Sequence, residues 1–123
     1  MCHRLGHRVV LAVLFAVIGI SEGRAHALLT RSSPAGGGTV RSAPSEIVLR
    51  FSEPIQAAFS TVQVTGRGGE RFDDGPAQID PDQPSVLRVA VKTLEPGTYT
   101  VVWRVLSIDT HITNGHFTFK VAP

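Results

Sequence analysis

Short runs of alternating hydrophobic and polar residues follow one another through residues 45–121. Such alternation is typical of strands with one buried face, because successive side chains of a strand point to opposite sides. The pattern predicts strands over residues 45–51, 59–65, 86–91, 98–106 and 116–121. Residues that favour turns separate these runs, among them Gly66 and the sequence Glu95-Pro96-Gly97.

The strongest of these predicted strands covers residues 98–106. Tyr99, Val101, Trp103 and Val105 alternate on one face, and hydrophobic residues also occur on the other face. A strand that is apolar on both faces is typical of the middle of a sheet, so we expect this one to be central. In the last predicted strand, the hydrophobic positions face inward and the polar positions face outward: Phe117, Phe119 and Val121 against His116, Thr118 and Lys120.

Residues 73–85 contain three Pro and four Asp, so we expect a loop with at most a short irregular strand at Gln78 and Ile79. No stretch after residue 27 has the i, i+3, i+4 apolar spacing of a long helix. Short strands separated by turns therefore predict an all-β fold, a small antiparallel β-sandwich or Greek-key barrel of the immunoglobulin-like kind. With 98 residues after position 25, the chain is long enough for one domain.

The first 25 residues have the pattern of a cleaved signal peptide. Arg4 and Arg8 precede an uncharged apolar run over residues 9–20. A helix of that run reaches only about 18 Å, which is shorter than the roughly 30 Å hydrocarbon core of a bilayer. We therefore expect a secreted product, in a periplasm or on the outer face of the cell membrane. Two cuts fit the small-residue rule, one after Ala25 that leaves His26 first and one after Ala27.

Charge and cysteine content narrow the possible partners. The chain has 12 Lys+Arg and 10 Asp+Glu, of which three and one lie in residues 1–25, so the remainder has nine of each sign. A neutral domain gives no support for a nucleic-acid partner. Because Cys2 is the single cysteine and lies in the leader, a metal site in residues 26–123 must use nitrogen and oxygen ligands. We expect a monomer.

Asp109 and His111 follow the predicted central strand, two positions apart. In extended chain, such residues point to the same side, so a carboxylate and an imidazole would converge. Taken alone, the pair is a weak signal and is better explained as a histidine held by an aspartate in a surface turn. A chain that starts at His26 adds an α-amine and a second imidazole, and a nitrogen-rich set of this kind suits Cu(II). The candidate metal ligands are therefore His26, Asp109 and His111.

The chain resembles the CopC family of small secreted copper-resistance proteins. The likeness spans residues 26–121 and lies in these segments: His26-Ala27, Ser33-Pro34-Ala35, LRFSEPI at 49–55, PGTYTVVWRVLS at 96–107, Asp109-Thr110-His111 and Gly115-His116-Phe117-Thr118-Phe119. The resemblance implies a β-sandwich that is not an enzyme and that binds one Cu(II) ion through His26 with its amine, Asp109 and His111. It also implies a membrane copper transporter of the CopD type as partner.

Two departures from the family pattern matter. The family usually has Gly between the Asp and the His, where this chain has Thr110, so we expect altered loop geometry. Some members also have a Met-rich Cu(I) segment, which is absent here, so the resemblance implies a Cu(II)-only member. His116 is interpreted as a solvated strand residue, Glu53 as a strand-end residue with a minor chance of supporting the ligands, and Trp103 as a core residue.

Two other functions remain open from the sequence. A copper enzyme could use an N-terminal His and a second His, but the small chain and the acidic ligand beside the metal argue against oxygen chemistry. A metal-free β-sandwich that serves in adhesion or as a spacer would follow if the mature chain began at Leu28.

Overall fold

The computed structural model describes residues 26–123, and the predicted leader over residues 1–25 lies outside the described residues. The alternating runs form eight strands: β1 (Leu29–Ser33), β2 (Thr39–Val40), β3 (Glu46–Phe51), β4 (Thr61–Thr65), β5 (Gln78–Asp80), β6 (Gln83–Ala90), β7 (Gly97–Leu106) and β8 (Ile112–Val121). A short 3-10 turn over Ala57–Phe59 is the one helical element of this part of the chain. No helix within residues 26–123 is long and apolar enough to cross a membrane.

The eight strands form two four-stranded sheets. The first has the order β1-β3-β6-β5, and the second has the order β2-β8-β7-β4. All neighbouring strands are antiparallel except β2, which pairs in parallel with the end of β8. The predicted all-β sandwich is therefore confirmed, with one short parallel pairing that the sequence pattern did not indicate.

The core lies between the two sheets and follows the predicted alternation. Tyr99, Val101, Trp103 and Val105 of β7 are all buried, and β7 lies between β8 and β4, as expected of a central strand. The Trp103 ring packs edge-on against Phe51 of the other sheet, with their centroids 5.2 Å apart. Trp103 is thus a core residue, as predicted.

Several strand limits differ from the prediction. Strand β4 begins at Thr61, not at residue 59, because Ala57–Phe59 forms the 3-10 turn. Strand β6 begins at Gln83, ahead of the expected start, since Pro84 is tolerated near the beginning of a strand. Strands β1 and β2 were not predicted, and β8 extends back to Ile112 because the whole of β7 pairs with it.

The pairings bring distant parts of the chain to one end of the sandwich, here called the His end (residues 26–28, 52–54 and 107–111). The start of β1 lies beside the end of β3, and the Ser52 amide donates to the Leu28 carbonyl at 2.9 Å. The loop between β7 and β8 joins this end as well, where the Ile108 amide donates to the Pro54 carbonyl at 3.0 Å. All three predicted ligands lie in these segments.

Candidate metal site

The loop from Ser107 to His111 is a tight turn that connects β7 to β8. The Ser107 amide donates to the His111 carbonyl at 2.9 Å, and the Thr110 amide donates to the Ser107 carbonyl at 3.0 Å. Thr110 has a φ of 75°, in the left-handed region that glycine favours and β-branched residues rarely adopt. The chain here is therefore a turn and not extended, which corrects the geometry assumed from the i, i+2 spacing.

The turn brings Asp109 and His111 together nevertheless. His111 Nδ1 lies 3.3 Å from Asp109 Oδ1, and the His111 amide donates to the same oxygen at 3.4 Å. The Ser107 hydroxyl also donates to Asp109 Oδ1. Asp109 Oδ2 accepts no hydrogen bond from any residue between 26 and 123, so one carboxylate oxygen remains available to a ligand.

Hydrogen bonds keep Asp109 in its charged form. The Ser107 hydroxyl is the main cause of a lowered Asp109 pKa, opposed by partial desolvation and assisted by the amide and ring of His111. The carboxylate is therefore an anion at neutral pH. His111 Nδ1 faces this anion, so the His111 ring must turn before Asp109 and His111 can bind the same ion.

His26 lies directly beside this loop. The imidazole rings of His26 and His111 meet edge to face, with centroids 5.0 Å apart and planes at 81°. The next residue holds His26 there: Ala27 is fully buried, and its carbonyl accepts the Thr113 hydroxyl at 2.7 Å. The Leu28 amide in turn donates to the Ser52 hydroxyl at 2.9 Å.

The spacing of the two rings fits a shared ion. A metal–nitrogen bond of about 2 Å places a ring centroid roughly 3 Å from the metal, so two rings on one ion have centroids roughly 4.5–6.5 Å apart. The observed 5.0 Å lies in that range. The ligands are not yet assembled, since no three His, Cys, Asp or Glu side chains within residues 26–123 are already arranged to hold an ion. Side-chain rotation of the exposed His26 and His111 is the movement that assembly requires.

The other candidates lie apart from this group. His116 is exposed on β8 opposite Val102, and the strand rise puts it roughly 16 Å from His111 along the chain. Glu53 is half-buried at the His end and makes no hydrogen bond or ion pair with residues 26–123. Sequence reasoning did not identify Ser107, which is fully buried and orients Asp109. The sequence did offer one indication: Ser107 directly follows β7, along most of which every second residue is hydrophobic and buried.

Comparisons with known proteins agree on one family. The CopC domain matches residues 29–122. Protein YobA of Escherichia coli strain K12 is 40% identical over 115 residues, which cover 93% of each chain. Copper resistance protein C of Pseudomonas syringae pv. tomato is 31% identical, with 94% of this chain and 97% of that protein covered.

Two further matches are a longer copper transport protein and a solved crystal structure. The copper transport protein CutJ of Bacillus subtilis is 28% identical over 91% of this chain, which corresponds to 21% of CutJ. The crystal structure of CopC from Methylosinus trichosporium OB3b matches with a TM-score of 0.75 at 32% identity. That match covers 80% of this chain and 95% of the CopC chain.

Proposed function

Because the chain belongs to the CopC family, we propose that its secreted form binds one Cu(II) ion and either sequesters it or delivers it to a membrane copper transporter of the CopD type. The ligands are the α-amine and imidazole of His26, the imidazole of His111 and a carboxylate oxygen of Asp109. The role is non-catalytic, and its setting is a periplasm or the outer face of the cell membrane.

One observation carries the proposal: the imidazole of His26 meets the carboxylate of Asp109 and the imidazole of His111, which are distant from it in sequence, at one exposed end of the sandwich. The centroids of the two rings are 5.0 Å apart, and Asp109 Oδ1 lies 3.3 Å from His111 Nδ1. Nitrogen ligands with one oxygen suit Cu(II), whereas Cu(I) prefers sulfur. Residues 26–123 contain neither Met nor Cys, which supports a Cu(II)-only site.

The burial of Ala27 supports cleavage after Ala25. A cut after Ala27 would remove a residue that is 0% exposed and whose carbonyl is bonded to Thr113. It would also remove His26 and with it two of the proposed nitrogens. Cleavage after Ala25 keeps these contacts and turns the His26 amide nitrogen into an amine that can chelate together with its own imidazole.

The relatives support delivery as well as binding. This chain corresponds to about one-fifth of CutJ, a copper transport protein, so the matching segment there is joined covalently to a much longer chain. A freestanding chain of this family would meet such a protein by diffusion. Copper held at an exposed end of the sandwich is accessible to an acceptor without unfolding of the domain.

The first test is the intact mass of the secreted protein under non-denaturing conditions, with and without one equivalent of Cu(II). We expect a chain that begins at His26 and holds one copper ion. A chain that begins at Leu28 and holds none would contradict the proposal and favour the metal-free sandwich. Oxygen consumption with ascorbate and copper should not exceed that of free copper, as a non-catalytic site requires.

Two matched variants then test the ligands. His111→Ala should lower Cu(II) affinity by at least about 100-fold in a chelator competition titration. His116→Ala removes the same kind of side chain from an exposed position on β8, away from the His end, and should leave the affinity within about twofold. Equal affinity in both variants would exclude His111 as a ligand.

A further inference from the structure

Among the strands of residues 26–123, β1 pairs only with β3 and therefore forms one edge of the first sheet. A groove of about 440 Å³ runs along its other side, between β1 and β8. Residues 29–32 of β1, Ala35, Gly36 and Phe117 of β8 line this groove. An exposed strand edge beside a groove can accept a further strand through backbone hydrogen bonds. None of the three proposed copper ligands lines it.

Two arginines lie directly opposite each other where β1 meets β3. Arg31 pairs with Arg50 in the antiparallel register, and both are exposed. A second hollow of about 190 Å³ lies between them and is bordered by Ser32, Ser33 and Val48. Like charges directly opposite across two strands are destabilising, so this arrangement does not help the isolated domain to fold.

Neither arginine has an acidic partner among residues 26–123. Arg50 Nη1 donates to the neutral amide oxygen of Gln83 at 2.6 Å. Arg31 makes no side-chain hydrogen bond or ion pair with any residue between 26 and 123. The positive charge of both guanidinium groups is therefore available to an anionic group from outside.

The next arginine in the same sheet shows the opposite arrangement. Arg88 Nε contacts Asp80 at 2.8 Å, and Arg88 Nη1 contacts Glu46 at 2.7 Å. The sheet thus supplies two carboxylates to Arg88 and none to the Arg31–Arg50 pair. We take this uneven distribution of charge as the mark of a recognition surface.

We propose that β1 is the docking edge for an extended acidic segment of a partner protein. The segment adds as a fifth strand beside β1, fills the groove next to Phe117 and places a carboxylate between Arg31 and Arg50. Backbone pairing supplies affinity, and the two guanidinium groups supply selectivity because their planar N–H groups match a carboxylate. The proposal is independent of copper binding.

Other occupants fit less well. A second copy paired antiparallel through β1 would bring Arg31 close to Arg31 of the partner and repeat the like-charge contact. Recognition of an anionic membrane takes clusters of roughly four to eight basic residues. In this sheet Glu46 and Asp80 are paired with Arg88, so the sheet presents fewer unpaired cations than such a cluster requires. An extended acidic peptide can pair with the free edge of β1 and can also place a carboxylate against Arg31 and Arg50.

The test uses a fluorescein-labelled peptide of alternating Glu and Thr, with the same peptide carrying Gln in place of Glu as the ligand control. Binding is followed by fluorescence anisotropy, and the contact is located from shifts of backbone amide NMR signals. We expect the Glu peptide to bind, the Gln peptide not to bind, and the shifts to concentrate in Leu29–Ser33. The double variant Arg31→Glu/Arg50→Glu should lower the affinity at least about tenfold.

A matched double variant separates local recognition from net charge. Arg41→Glu/Arg104→Glu reverses two exposed arginines that have no ion pair within residues 26–123, and it should leave the affinity within about twofold. Both double variants should have the same unfolding midpoint and the same copper affinity as the parent. If charge reversal impairs folding, Arg31→Gln/Arg50→Gln replaces Arg31→Glu/Arg50→Glu in the binding test.

Three results would overturn the proposal. The first is equal loss of peptide binding in the two double variants, which would indicate an effect of net charge alone. The second is dimerisation through β1 in sedimentation, which would assign the edge to a second copy. The third is that the protein binds phosphatidylglycerol vesicles through Arg31 and Arg50 but does not bind the peptide.

Discussion

Asp80 and Asp109 are two aspartates with lowered pKa values and very different surroundings. Asp80 uses both of its oxygens: Oδ1 accepts the Asp82 amide at 2.9 Å, and Oδ2 contacts Arg88 Nε at 2.8 Å. Asp109 receives all its bonds from residues 26–123 on Oδ1 and leaves Oδ2 open. The side-chain exposure is 10% for Asp80 and 35% for Asp109.

The difference separates a carboxylate that serves the fold from one that can serve a ligand. The bonds to Asp80 lower its pKa chiefly through the Asp82 amide and then through Arg88, and they fasten β5 to β6. The bonds to Asp109 lower its pKa chiefly through Ser107, and they occupy Oδ1 while Oδ2 stays without a partner among residues 26–123. A lowered pKa alone therefore does not mark a binding site, and the unused oxygen is what distinguishes Asp109.

The strongest test removes the charge of each aspartate in turn and compares the effects on copper affinity and on stability. Asp109→Asn should reduce Cu(II) affinity by about 10- to 100-fold while the thermal midpoint changes little. Asp80→Asn should lower the thermal midpoint, because the Arg88 guanidinium and the Asp82 amide lose a charged acceptor. It should leave the copper affinity unchanged. Chelator competition and calorimetric unfolding of both variants measure the two effects. A loss of copper affinity in both variants would remove the distinction.

A change at Gly115 tests how tightly the core is packed around Trp103. A Cβ at Gly115 would lie 2.5 Å from Cζ2 of Trp103, so Gly115→Ala forces the large ring to move. We expect a loss of about 1–3 kcal/mol in unfolding free energy. Thr118→Ala, an exposed change on the same strand, should stay within about 0.5 kcal/mol in urea titrations. Equal stability of the two variants would show that the site beside Trp103 can expand.

Acid should weaken the fold through its structural carboxylates. The pKa values of Asp73 and Asp80 are lowered in the folded state, Asp73 chiefly by the Arg71 guanidinium. Their stabilisation is therefore complete above the unfolded value of about 3.9 and is lost as pH falls through the lower folded values. Unfolding free energies measured across this range should decline, and Asp80→Asn should decline less steeply than the parent. An unchanged slope would mean that Asp80 is not coupled to stability.

The smallest expected effect concerns the turn that carries Asp109. Thr110 adopts a φ of 75°, which costs an L-residue about 1–2 kcal/mol. Thr110→Gly should therefore stabilise the protein by roughly 1 kcal/mol, reduced by the greater freedom of glycine in the unfolded chain. Thr110→Ala keeps the penalty and should show no such gain. If Ala stabilised as much as Gly, the left-handed geometry would not be the cause.

The strands with a strict alternation could be read from the sequence, and those without it could not. Buried alternation placed β7 and its central position correctly. Strand β1 was not predicted because an edge strand buries few side chains. Only Leu29 and Ser32 are partly buried in it, so its sequence shows no hydrophobic alternation. The 3-10 turn before β4 was not predicted because Phe59 is hydrophobic yet 66% exposed, so it mimics an inward strand position.

The site was only half accessible to sequence reasoning. The proximity of Asp109 and His111 followed from their spacing, although a turn produces it and not an extended strand. The position of His26 depends on contacts across the fold, such as the bond between Ala27 and Thr113, which are 86 positions apart. Local periodicity carries no information about such a contact. The use of His26 as a ligand rested on the chelate that a chain starting at His26 would offer, with which the family resemblance agreed, and it stays a prediction.

The burial of Ala27 also bears on how long a processed chain would survive outside the cell. Aminopeptidases bind the first residues of a chain in extended form before they cut. In a chain that starts at His26, the second residue is enclosed in the core and bonded to β8, so it is withheld from such enzymes. Trimming then requires local opening of the fold, which happens only as often as that region unfolds. The same contact that positions the proposed ligand would therefore protect it from removal by exopeptidases.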